Sequence, residues 1–221
     1  MSTAYQSPSK RAWNKLPILV IFLALITAYW TANGCGTNVA TQTVRLNAAF
    51  DRTGTLASDG SYLPMTANGF VFAGDRSSNL AERGFVSVTL GAIPPTAKVI
   101  KVLLNLQGTA FVDPFDDFGT LSVDHVNVVS GIDAADFSGS VITASIAAVP
   151  PLPKGEAIPQ VVELDVTDAV KADLVAGRLI ASFRFQFNAA PNADGQFDQA
   201  IFRAFPDDPA QQPFATAIFQ P

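Results

Sequence analysis

Two periodicities divide the chain. Residues 16–30, LPILVIFLALITAYW, form one unbroken apolar run. After residue 42 the apolar positions recur every second residue rather than every 3.6, the signature of strands with one face toward a core. Ten segments carry that alternation: 43–50, 69–73, 84–90, 97–106, 120–129, 141–147, 160–166, 179–187, 201–205 and 214–219. Asp-Gly at 59–60, Pro94-Pro95, Pro150-Pro151 and the Pro191–Gly195 cluster fall between them, where turns need fixed or positive φ. Many short strands at near-regular spacing predict an all-β fold, an antiparallel β-sandwich of the jelly-roll type.

The stretch 178–187, RLIASFRFQF, shows the pattern most clearly. Phe183, Phe185 and Phe187 share one face and point to the core; Ser182, Arg184 and Gln186 share the other, which is expected to face water. Helical spacing is confined to one place. Thr167 is positioned to cap, Asp168 sits in the first turn, Val170 and Leu174 are four apart, and Gly177 can close the C-terminus. The expected helix has about eight to ten residues. A second short turn is expected at 133–137.

Charge placement explains the first apolar run. Lys10, Arg11 and Lys15 precede it, whereas all 19 acidic residues lie C-terminal to it. A positive flank before a run of secretory h-region length keeps the N-terminus on the cytoplasmic side and exports the remainder of the chain. Ala32 and Gly34 match the small-x-small pattern of a cleavage site ending before Cys35, the only cysteine. Ala32-Asn33-Gly34-Cys35 also resembles the lipobox of bacterial lipoproteins, which implies a Cys35 that becomes lipidated and anchors the chain to a membrane. A secreted, unlipidated chain and an uncleaved anchor reaching Ala32 are the alternative readings. The expected organisation is a signal peptide or signal anchor at 1–34, the attachment cysteine and a polar spacer at 35–42, and one β-sandwich domain at 43–221.

Beyond the leader, 11 basic residues face 19 acidic ones. Such a surface repels phosphate backbones, and no basic stripe appears, which excludes nucleic acid as the expected partner. One cysteine and one histidine exclude an internal disulfide and a Cys/His zinc site by count.

The candidate chemistry is sparse. A triad would need His125, but its neighbour Asp124 points to the opposite strand face, so His125 reads as a surface or sheet-face residue. The densest carboxylate group is Asp113, Asp116 and Asp117 in FVDPFDDFG. It reads as a solvated turn or as a ligand site for calcium, which takes several carboxylate and carbonyl oxygens. No cofactor is required by any motif. Both tryptophans, Trp13 and Trp30, belong to the leader, and Tyr62 is the one tyrosine after Cys35, so an aromatic sugar-stacking platform is not expected.

Four stretches in order, FDRTGTLASDGS at 50–61, GDRSSNLAERGFVSVTL with IPPTAKVIKVLLNL at 74–106, DDFGTLSVDHVNVVSGIDAADFSG at 116–139 and VELDVTDAVKADLVAGRLIASFRFQF at 162–187, resemble the DNRLRE domain family, which overlaps carbohydrate-binding module family 96. The resemblance spans most of residues 46–219. It implies a non-catalytic β-sandwich module of secreted and surface bacterial proteins, and it places Asn79, Glu82 and Arg83 at the family's polar signature. Leu80-Ala81 replaces part of that charged signature. Glu82 and Arg83 are expected either to latch a loop to the sheet or to contact ligand.

The resulting expectation is an exported, lipid-anchored or secreted protein of the cell envelope, with no enzymatic activity. It is expected to bind polysaccharide or another envelope component. The alternative is a structural protein that self-associates. A glycan-cleaving enzyme is the third class, and it lacks base candidates.

Overall fold

The computed structural model describes residues 40–112, 119–149 and 160–221. Twelve strands run β1 (Gln42–Asn47), β2 (Gly54–Ala57), β3 (Tyr62–Pro64), β4 (Phe70–Asp75), β5 (Ala81–Thr89), β6 (Lys98–Val112), β7 (Leu121–Val126), β8 (Val141–Val149), β9 (Gln160–Asp165), β10 (Ile180–Phe187), β11 (Asp198–Arg203) and β12 (Phe214–Gln220). Among the described residues two α-helices join them, α1 (Met65–Asn68) and α2 (Thr167–Val175). All pairings are antiparallel.

Eight strands make the two layers. One sheet has the order β1-β12-β6-β9 and the other β5-β10-β7-β8. Along the chain, these strands alternate between sheets except at the β7–β8 hairpin, which is the winding of a jelly roll. The remaining four strands close the edges. β2 and β3 extend the second sheet beyond β5, while β4 and β11 link β5 to the far half of β6. The two halves of β6 meet at an irregularity between Leu106 and Thr109, where Gly108 has φ 55°, a value that favours glycine.

Alternation builds the core. Ala215, Ala217 and Phe219 of β12 with Val102 and Leu104 of β6 face Val86, Val88, Val123, Phe183 and Phe185 of the opposite sheet, and all are buried. Each large side chain removed from water contributes about 1.5–3 kcal/mol. The rings of Phe185 and Phe202 pack at 4.9 Å between centroids, tilted by 52°.

Several sequence expectations change. The outer face of β10 is not wet: Ser182 and Arg184 are 2% and 4% exposed. A second apolar cluster of Leu56, Phe85, Val126, Val128 and Ile132, with Tyr62 and Phe137 packed against it, covers that face. Ser87 Oγ bridges the Arg52 carbonyl (2.7 Å) and Ser182 Oγ (2.8 Å), so protein atoms replace water as partners.

His125 is fully buried rather than on the surface, and Asp124 does point away from it. The expected helix is present, but Thr167 is not its cap. The Asp165 carboxylate accepts from the Thr167 amide (3.0 Å) and hydroxyl (2.5 Å), while Thr167 Oγ1 accepts from the Val102 amide (2.9 Å). These bonds hold the Asp165 pKa below its ordinary value. The turn expected near 133 is a 3-10 helix, Ala134–Asp136, closed by a reciprocal capping box between Asp133 and Asp136.

Candidate functional site

Adjacent residues of β5 project apart, and the polar signature uses this. The chain enters β5 through a tight turn at 76–80, in which Asn79 holds φ 59° and its amide donates to the Arg76 carbonyl at 2.7 Å. Asn79 Oδ1 accepts from the Gly195 amide at 3.1 Å, tying this turn to the loop between β10 and β11. Glu82 is buried and its carboxylate accepts from Arg76 Nε at 2.5 Å and from Gln199 Nε2. Burial pushes the Glu82 pKa up, and Arg76 and Gln199 offset part of that.

Arg83 is directed to the other side. Its Nη1 donates to the Phe137 carbonyl, and its guanidinium lies 4.3 Å from the Phe137 ring centroid. Arg184 Nη1 donates to the same carbonyl at 3.3 Å and to that of Gly139 at 3.0 Å. Two arginines of adjacent strands thus bind the 133–139 segment to the sheet. Burial and the neighbouring Arg184 charge lower the Arg83 pKa, and Asp124 opposes them.

Asp124 neutralises Arg184, accepting from its Nη2 at 3.0 Å and from Gln186 Nε2 at 2.8 Å, while its other oxygen accepts from the Ser145 amide at 2.9 Å. Arg83 has no carboxylate within ion-pair distance among the described residues.

Beside this part of β5 a cavity of about 240 Å³ opens, lined by Glu82, Arg83, Phe137, Gln186 and Asn188. Gln186 Oε1 is buried and has no hydrogen-bond partner. The cavity offers a guanidinium, the exposed Asn188 amide and an aromatic ring, a set suited to hydroxyl-rich ligands. It contains no nucleophile paired with a base.

Of the residues expected from sequence, the structure brings Glu82 and Arg83 to this cavity and sets Asn79 at the turn beside it. Cys35, Asp113, Asp116 and Asp117 lie outside the described residues. Phe137, Gln186 and Asn188 are cavity residues that sequence reasoning misses. The alternating polar positions of β10 are the available signal, but alternation alone assigns them to solvent. Among the described residues, no group of three or more His, Cys, Asp or Glu is arranged to hold a metal ion, and no helix is long and apolar enough to cross a membrane. No family model matches the chain, and no curated protein matches it.

Proposed function

We propose that the protein is an exported, non-catalytic binding module of the cell envelope, lipid-anchored through Cys35, which holds a polysaccharide chain in the cavity at Arg83. The likeness to DNRLRE-type modules is part of this reading. The observation that carries it is the placing, in one cavity wall, of the exposed Asn188 amide and the Arg83 guanidinium, which has no carboxylate within ion-pair distance among the described residues. Sugar hydroxyls suit both groups, since each can donate and accept. Hydrogen bonds to a charged group are worth about 1.5–3 kcal/mol each, enough for a site without tryptophan stacking.

The test is affinity electrophoresis of the full chain in detergent against a panel of neutral and acidic polysaccharides. Retention by at least one, reduced about tenfold or more by Arg83→Ala, is the expected result. Failure to be retained by any of them rejects the reading. Mass spectrometry of the native N-terminus tests the anchor: a diacylglyceryl group on Cys35 is expected, and an unmodified Cys35 or a retained Met1 refutes it.

A second reading, self-assembly, draws on β8. This nine-residue strand, VITASIAAV, pairs with β7 on one side, carries no charge and is largely exposed. An uncharged edge strand is a template for pairing with another copy. Analytical ultracentrifugation distinguishes the readings, because Thr143→Lys would dissolve an assembly built on this edge and leave glycan retention unchanged.

A further inference from the structure

Asp75 ends β4 and Asp198 begins β11, and the two are register partners directly opposite each other. Both are buried, at 0% and 5% exposure. The rows they terminate are apolar: Val71 and Ala73 precede Asp75 on its strand, and Ala200 and Phe202 succeed Asp198, all within the core. Like charges facing each other across a strand pair repel, and burial strengthens the repulsion.

The partners of the two carboxylates differ. Asp198 accepts from Asn192 Nδ2 at 3.1 Å. Neither oxygen of Asp75 has a hydrogen-bond partner. The amides of Arg76 and Asn192 are turned toward Asp75 without reaching bonding geometry. Arg76, the nearest cation by sequence, is committed to Glu82. A buried carboxylate with two bare oxygens costs several kcal/mol unless a counter-charge reaches it.

The geometry points to a calcium site at this end of the sandwich, with Asp75 and Asp198 as its two carboxylates and main-chain carbonyls of the adjoining loop and water as the remaining ligands. Two carboxylates neutralise one divalent ion. Calcium accepts 6–8 oxygens in irregular arrangements, whereas magnesium demands a near-octahedral set and keeps several waters. Because side chains supply only two ligands, the site does not require the three-carboxylate grouping that is absent among the described residues. The loop at 188–197 is turned back here by positive φ at Ala193 (63°) and Gly195 (78°), and its Asn192 already touches Asp198. The ion would fasten that loop, one wall of the Arg83 cavity, to the core. The site is independent of what the cavity binds.

Isothermal titration of the full chain in detergent with calcium chloride, with no glycan present, tests the assignment. One equivalent of calcium should bind, with magnesium at least about tenfold weaker. Asp75→Asn should weaken calcium more than about 100-fold, beyond the 10–100-fold expected of an outer-shell residue. The same variant should keep its circular dichroism and melt in EDTA no lower than the parent, since it removes a buried charge. Asp198→Asn should also lose binding, and Asp59→Asn should keep it. Absence of calcium binding in the parent, or full binding retained by Asp75→Asn, overturns the site; retention in Asp75→Asn with loss in Asp116→Asn would relocate calcium to the 113–117 loop and equally refute it.

Discussion

His125 Nε2 lies 2.9 Å and 3.0 Å from the two carboxylate oxygens of Asp173, joining β7 to α2 across 48 positions of chain. Both side chains are buried. An ionised carboxylate only accepts, so Nε2 carries the proton and donates. Arg178 Nε adds a bond of 2.5 Å to Asp173 from the residue that closes the helix. The only histidine of the chain thus fastens the helix to the β5-β10-β7-β8 sheet, a role that needs no catalysis.

This arrangement predicts a large and asymmetric effect of substitution. Asp173→Asn leaves the Arg178 charge without its counter-ion and gives His125 a poorer acceptor. A loss of about 1–3 kcal/mol is expected, the cost of leaving buried hydrogen-bonding groups poorly satisfied, since the Arg178 side chain is 29% exposed. Asp168→Asn, on the exposed side of the same helix, should cost less than about 0.5 kcal/mol. Urea denaturation of the two variants measures the contrast.

Gly84 makes a different demand on the fold. A methyl group at this position would lie 2.8 Å from Val71 Cγ1 and 3.0 Å from the Phe72 carbonyl oxygen. The close approach exists because the Phe72 amide donates to Thr55 Oγ1 at 2.8 Å, drawing β4 over the β2–β5 pair. Gly84→Ala should therefore destabilise by about 1–3 kcal/mol through overpacking. Val71→Ala removes one of the two obstacles, so the double variant should be more stable than the sum of the singles implies, by about 0.5 kcal/mol or more. Equal denaturation midpoints for Gly84→Ala and the parent would contradict the close approach.

The legible parts of the fold are those where alternation arises. β10 shows it plainly because Phe183, Phe185 and Phe187 alternate with polar residues, whereas in β12 the buried positions are Ala215, Ala217 and Phe219 and the large Phe214 and Ile218 lie on the half-buried face. β2 and β3 escape a reading by period: Gly54–Ala57 is buried on both sides, so no alternation exists to read, and Tyr62–Pro64 is three residues long. Gln107-Gly108 reads as a stop that ends β6 at Leu106, whereas the strand continues past the bend to Val112. The polar face of β10 reads as wet because a serine or arginine satisfied by protein is indistinguishable in sequence from one satisfied by water. The contacts that replace water come from Arg52 and the 133–139 segment, far away in the chain. Asp75 and Asp198 are likewise 123 positions apart by number, and their opposition exists only through the β4–β11 register.

Burial of carboxylates sets the pH dependence of stability. Burial raises the pKa values of both Asp75 and Glu82 above those of ordinary carboxylates. Asp75 faces Asp198 and Asp194; Glu82 faces Arg76, Gln199 and, at longer range, Asp75. Between the unfolded pKa of about 4 and the raised folded value, the native state binds more protons than the unfolded state, so stability must fall as pH rises through that window. Asp165 works in the opposite direction: its pKa is lowered by Thr167, and its contribution is present above the unfolded value and lost only as pH falls through the folded one. In EDTA, the full chain should therefore be most stable on the acidic side of neutrality and lose stability toward neutral pH. Asp75→Asn and Glu82→Gln should each flatten that decline, and the double variant should abolish most of it. Urea midpoints measured at intervals from about pH 4 to 8 give the slope directly. A parent protein whose stability climbs steadily across this range would show that neither carboxylate is protonated preferentially in the folded state.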